Sequence, residues 1–223
     1  MITKLNNPKT KAYQEFKKLI LGSDCAWNYI PTVDNNPPHF YVHGFLMRPS
    51  PTLLFPVMGD SRQAVDIFQT VLAEILVYNK MSANLIYRMA ANACHPSDGK
   101  QKTERHTDHP FPHSNILIYL TDAGGKTFVD DEEFDPKEDE VIVFDTDVEN
   151  ETGMHYHELP KDRRRVVLVA TYMPGKFMNP KELDEFTKMS SQYDPYLHRH
   201  DLTKGRVLSK RPKVSPVKDG SNN

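Results

Sequence analysis

Apolar positions in residues 61–80, "SRQAVDIFQTVLAEILVYNK", recur at three- and four-residue intervals. Ala64, Phe68, Val71 and Ile75, with Val65, Leu72 and Leu76, make a wide apolar face. That period predicts a core-facing helix, capped by Asp60 or Ser61. Residues 8–21, "PKTKAYQEFKKLIL", predict a shorter amphipathic helix, with Pro8 in its first turn, Ala12, Phe16, Leu19 and Ile20 inward, and Gly22 at its end. Between the two, residues 23–58 are rich in proline and aromatics and are expected to wrap another part of the molecule. After residue 83 the period shortens. "NLIYRMA" (84–90), "NILIYL" (115–120), "KTFVD" (126–130), "EVIVFD" (140–145) and "RRVVLVATY" (164–172) are short β-branched and aromatic runs, separated by turn formers such as "DAGG" and "DPKEDE". Strands in close succession without helices between them predict antiparallel sheets in a sandwich or barrel. A last helix is expected over 179–192, with Asn179 as cap and Pro180 in its first turn, and a polar, basic, flexible tail from about 198. The expected organisation is 1–83 as helices and aromatic wrap on the core, 84–176 as the β core, 177–197 as the C-terminal helix and 198–223 as the tail.

Composition narrows the class. The chain has 223 residues with 38% hydrophobic and 26% charged, and a mean hydropathy of -0.61, as expected of a soluble protein. The formal charge of -2 gives no general attraction to polyanions, so neither a nucleic acid nor a membrane is indicated as partner. Acidic 130–140, "DDEEFDPKEDE", reads as a solvated loop and basic 204–218 as a loose tail. Cys25 and Cys94 lie far apart without a CxxC, which fits a reducing compartment. The N-terminus lacks the apolar core of a signal peptide and no run reaches membrane length, so a cytoplasmic location is expected.

The chemistry concentrates in "ERHTDHPFPHSNILIYL", residues 104–120. On a strand, residues two apart share a face, so His106 and Asp108 project together. Two ligands make a weak site. His155 and His157, in "GMHYHELPKDRRRVV", follow one strand and precede another, at a sheet end that could fold back over residue 106. Two histidines and a carboxylate on one face leave open positions on an octahedral metal, the arrangement of non-haem Fe(II) oxygenases. His109 and His113, separated by Pro110, Phe111 and Pro112, are read as loop residues beside that site, at the surface or in contact with substrate. His198 and His200 belong to the tail.

The order of these features carries a resemblance: His-x-Asp, then an apolar strand with Tyr119, the glycine turn "DAGGKTF", "FDPKEDEVIVFD", a histidine, and an arginine opening the final strand. Over residues 84–174 it resembles the 2-oxoglutarate- and Fe(II)-dependent oxygenases, in their prolyl-4-hydroxylase-like branch. Upstream "SDCAWNYI" is similar to the aromatic segment of phage-type members. The resemblance implies a mainly β fold with flanking helices, a double-stranded β-helix (jelly roll) of antiparallel sheets. It implies Fe(II) held by His106, Asp108 and His155, with His157 as the alternative third ligand. Spacing to Arg165 favours His155, and the run "HELP" favours His157. Arg165 would grip the distal carboxylate of 2-oxoglutarate, helped by Tyr119, while Arg164 faces the other way. The implied activity is that of a dioxygenase consuming 2-oxoglutarate and O2 to hydroxylate an unactivated C–H of a protein or small molecule, with peptidyl proline the first candidate. Two other readings share the β architecture, a jelly-roll binding module without turnover and a cupin-type metal protein.

Overall fold

The computed structural model describes residues 1–30, 40–48, 57–97, 101–176, 200–201 and 206–207. They fall in two compact units, Met1–Phe177 and Met178–Asn223. The expected helix over 179–192 and most of the tail lie outside the described residues. Within the second unit, β12 (His200–Asp201) and β13 (Arg206–Val207) pair antiparallel.

The first unit is built on two sheets of unequal size. The elements in order are β1 (Thr3–Leu5), α1 (Lys11–Leu21), β2 (Asn28–Ile30), β3 (Phe40–Met47), β4 (Val57–Met58), α2 (Arg62–Tyr78), β5 (Ser82–Cys94), β6 (His113–Tyr119), β7 (Thr127–Val129), β8 (Glu132–Phe134), β9 (Val141–Thr146), β10 (His155–His157) and β11 (Arg165–Gly175). The large sheet runs β1-β9-β6-β11-β5-β3-β2, with β4 on β3, and the small one runs β10-β7-β8. Every pairing is antiparallel. The fold is therefore mainly antiparallel β with flanking helices, as expected. Residues 28–30 and 40–47, read in the sequence as part of a wrap, are strands of the large sheet. Their divided character, with proline at both ends of the intervening stretch, hid an eight-residue strand that pairs with β5.

Period-two alternation gives the large sheet two different faces. Met89, Ala91, Ala93, Ile116, Ile118, Val141, Val143, Val166, Leu168 and Ala170 turn toward the helices, meeting Tyr13, Phe16 and Ile20 of α1 and Phe68, Leu72 and Ile75 of α2. Leu117, Tyr119, Ile142, Phe144, Val167 and Val169 turn the other way and pack with Val129 of the small sheet. In α1, Tyr13 takes the inward place expected of Leu19, which is 43% exposed. The Tyr13 hydroxyl donates to Asp139 Oδ1 at 2.6 Å, and Lys9 and Lys17 pair with the same carboxylate. The acidic stretch read as a solvated loop thus fastens α1 to the sheet.

Ser61 caps α2, its Oγ accepting from the Ala64 N–H at 3.3 Å. Replacing a serine cap by alanine costs about 0.5–2 kcal/mol. With so long a bond, Ser61→Ala is expected near the low end, read as a small drop in the denaturant midpoint with an unchanged m-value.

Candidate metal centre

Residues 101–106 run antiparallel beside β10 through two bridges, Lys102 with Glu158 and His106 with His155. His106 and His155 exchange both backbone hydrogen bonds at 3.0 Å. That register, rather than a continuous strand, is what brings His-x-Asp to β10. Donor atoms of His106, Asp108 and His155 all lie within 4.8 Å of one another. Among the described residues this is the one such group of potential ligands.

The tautomers favour coordination. His106 Nδ1 lies 2.9 Å from the Glu104 carbonyl and His155 Nδ1 3.2 Å from that of Gly153. Each Nδ1–H donates there, which leaves both Nε2 lone pairs for a metal. Burial pushes His155 down to about 4, so it is neutral and available as a ligand at neutral pH. Asp108 is buried, which alone would raise its pKa, but Arg88, Arg48 and the two histidines hold it well below the usual carboxylate range. It is ionised. Its Oδ2 stands 3.7 Å from His155 Nε2, while its Oδ1 accepts from Arg88 Nη1 at 2.9 Å and from Arg48. Two imidazoles with their Nε2 atoms left free and one fixed carboxylate suit a divalent first-row metal such as Fe(II).

His157 points to the same side of β10 but is occupied otherwise. Its Nε2 lies 3.4 Å from Cys94 Sγ, its Nδ1 3.5 Å from Thr103 Oγ1, and burial pushes its pKa well down. The segment 147–153 explains the extra length before His155. It is a closed turn in which the Asp147 carboxylate accepts from Glu149 and Asn150. Gly153 at φ +75 ends it, where a Cβ would stand 2.3 Å from the Asp145 carbonyl oxygen.

A cavity of about 420 Å³ opens beside the three residues. Arg165 enters its wall from the first position of β11 and is 5% exposed. Its Nη2 donates to Thr127 Oγ1 at 3.0 Å, its guanidinium lies 5.3 Å from the Tyr119 ring centroid, and its buried Nε has no partner. No carboxylate among the described residues pairs with it. A buried guanidinium without an anion is costly. Gly125, at φ +79, lets the "DAGG" turn pass beneath it, since a Cβ there would meet the Glu158 carbonyl oxygen at 2.5 Å. Tyr119 stands one layer back, its hydroxyl 2.7 Å from Thr127 Oγ1. Arg164 faces away and lies over Trp27, as the strand phase requires.

His109 and His113 are not surface groups. They are 5% and 3% exposed, with His109 stacked on Phe111 and its Nε2 2.7 Å from Thr171 Oγ1. Phe111 and Tyr87 supply the apolar cover that the flanking prolines concealed in the sequence. Sequence reasoning also missed Arg48, Arg88, Thr103 and Thr127 in the cavity wall. Only Arg88 had a signal, as a lone charge within the apolar run "NLIYRMA".

Neither a protein-family model nor a curated protein matches the chain. Among solved structures, an oxidoreductase of the 2OG-Fe(II) oxygenase family from Burkholderia pseudomallei superposes with a TM-score of 0.54 at 16% identity, over 77% of this chain and 84% of that one. A prolyl hydroxylase from Trichoplax adhaerens, in complex with a hypoxia inducible factor peptide fragment, gives 0.49 at 13% identity, over 77% and 83%. A Cupin 2 conserved barrel domain protein from Salinispora arenicola gives 0.33 at 12% identity, over 72% and 96%. The likeness to the first of these is one of fold, the jelly roll. No helix among the described residues is long and apolar enough to cross a membrane.

Proposed function

We propose that this protein is an Fe(II)- and 2-oxoglutarate-dependent dioxygenase that hydroxylates an unactivated C–H of a peptide or small molecule. The observation that carries the reading is one cavity holding two features that need each other. One is the His106–Asp108–His155 face, and the other is a buried arginine lacking an anion. His106, Asp108 and His155 would hold Fe(II), and Arg165 with Thr127 would take the distal carboxylate of 2-oxoglutarate. Fe(II) with 2-oxoglutarate supplies, when bound, the oxidative decarboxylation to succinate and CO2 that is coupled to C–H hydroxylation. The chain's own work is placement. Arg165 fixes the cosubstrate by its fork, and Tyr119 holds Thr127 and the arginine from behind. Leu117, Val167 and Val169 line the wall and exclude water. Peptidyl proline is the first substrate candidate on the sequence resemblance to the prolyl-4-hydroxylase-like branch, and the aromatic segment "SDCAWNYI" separately resembles that of phage-type members.

The test is anaerobic titration with Fe(II) and 2-oxoglutarate, followed by succinate release in air. The oxygenase reading expects a metal-to-ligand charge-transfer band and slow succinate formation even without substrate. A jelly-roll binding module or a cupin-type protein gives neither. In the same assay His155→Ala is expected to lose the band, while His157→Ala keeps Fe(II) and loses at most a few-fold in 2-oxoglutarate affinity. Loss of iron from His157→Ala alone would reassign the third ligand.

A further inference from the structure

The cavity wall holds more positive charge than the proposed cosubstrate consumes. It presents three guanidiniums, Arg48, Arg88 and Arg165, against two carboxylates, Glu104 and Asp108. Arg165 is accounted for by 2-oxoglutarate. Arg48 and Arg88 both rest on Asp108 Oδ1, and among the described residues no other carboxylate is paired with either. Arg88 rises from β5 inside the protein, with a side chain only 12% exposed, and Arg48 stands nearer the opening at 44%. Each spends one terminal nitrogen on Asp108, while a guanidinium carries five N–H donors.

A divalent cation on Asp108 changes this balance. One carboxylate charge then answers a dication and two guanidiniums together. Both arginines line the cavity, and for the largely buried Arg88 an unanswered charge is expensive, while Arg48 stands beside it at the opening. Bidentate oxyanion recognition is the role that arginine geometry serves best.

We infer that Arg48 and Arg88 form an oxyanion subsite, and that the substrate carries a carboxylate or phosphate group close to the C–H that reacts. This deepens the oxygenase reading and rests on it. The subsite lies on the Asp108 side of the cavity and Arg165 is a separate anchor, so an anionic substrate and 2-oxoglutarate bind together rather than compete. A neutral prolyl ring without a nearby acidic group leaves the pair unanswered.

The experiment is calorimetric titration of Mn(II)-loaded, 2-oxoglutarate-saturated protein with phenyl phosphate, benzoate and benzyl alcohol. At least one of the two anions is expected to bind about tenfold or more tightly than the alcohol, and the tighter one tells phosphate from carboxylate. Arg48→Gln and Arg88→Gln are each expected to remove most of that preference while 2-oxoglutarate affinity changes little. Equal binding of anion and alcohol overturns the subsite. So does unchanged anion binding in Arg88→Gln accompanied by weaker Mn(II) binding, since the arginine then only positions Asp108.

A metal-free arm separates this inference from the oxygenase reading. In metal-free protein Asp108 occupies the pair, so Asp108→Asn is expected to gain anion affinity about tenfold or more, and adding Arg88→Gln to cancel the gain. If wild-type protein bound neither Mn(II) nor 2-oxoglutarate, the oxygenase reading would fail and this arm would decide the subsite alone. No gain in Asp108→Asn, with the variant folded by near-ultraviolet circular dichroism, overturns it.

Discussion

Asp108→Ala is expected to abolish Fe(II)-dependent turnover of 2-oxoglutarate. In the proposed site Asp108 provides the single anionic ligand among three, and its loss opens the facial set. The same change removes the partner of Arg48 and Arg88, of which Arg88 is buried. Breaking a buried charge pair by deleting one side costs about 3–5 kcal/mol, so a lower melting temperature is expected alongside the lost activity. Asp108→Asn keeps the shape and one acceptor for the arginines, and isolates the metal effect from the folding effect. Both variants are expected to show no charge-transfer band under anaerobic titration. Wild-type succinate production by either purified variant would remove Fe(II) from the reading altogether.

Arg165→Ala separates cosubstrate from metal. The guanidinium sits in the wall with an unpartnered Nε and none of its atoms in the His106–Asp108–His155 group. Truncating one side of a buried, hydrogen-bonded charge pair costs roughly 2–5 kcal/mol, which is about thirtyfold or more in affinity. The variant is expected to bind Fe(II) as the wild type does and to need far more 2-oxoglutarate to develop the absorption band. Arg165→Lys is expected to recover only part, because an ammonium lacks the planar fork. Arg164→Ala, which loses a contact with Trp27 on the opposite face, is expected to leave the titration unchanged. A larger effect from Arg164 than from Arg165 would contradict the strand phase seen in β11.

Much of this architecture was legible because burial imposes a period. Strands β6, β9 and β11 carry continuous apolar runs because both of their faces are covered there, one by α1 and α2 and the other by the small sheet. Helix α2 shows its period because only one of its faces is buried. His106 and Asp108 do stand together, as their spacing suggests, though through the bridge to His155 and not along a strand, and Arg165 opens an apolar strand as expected. Other features were hidden by contacts across long stretches of chain. Whether His155 or His157 joins the group depends on a bridge between residues 106 and 155, and no local pattern encodes it. Arg48 meets Asp108 from 60 residues away. The clasp of Lys9 and Lys17 on Asp139 is invisible to a reading that sees only a charged loop, and so is the apolar cover over His109.

The place of β11 in the large sheet bears on how the chain is made. This strand, the last to be synthesised within the first unit's sheets, lies between β5 and β6, pairing with both. Until residues 165–175 leave the ribosome, the sheet exists only as separate halves, β5 with β3 on one side and β6 with β9 on the other. Each half then presents an open apolar edge, and such edges recruit other chains. From the completion of β5 until β11 emerges, the nascent polypeptide therefore carries an open sheet edge. A single late strand joins both, so a chain that ends before residue 165 lacks the strand that unites the two halves of the sheet.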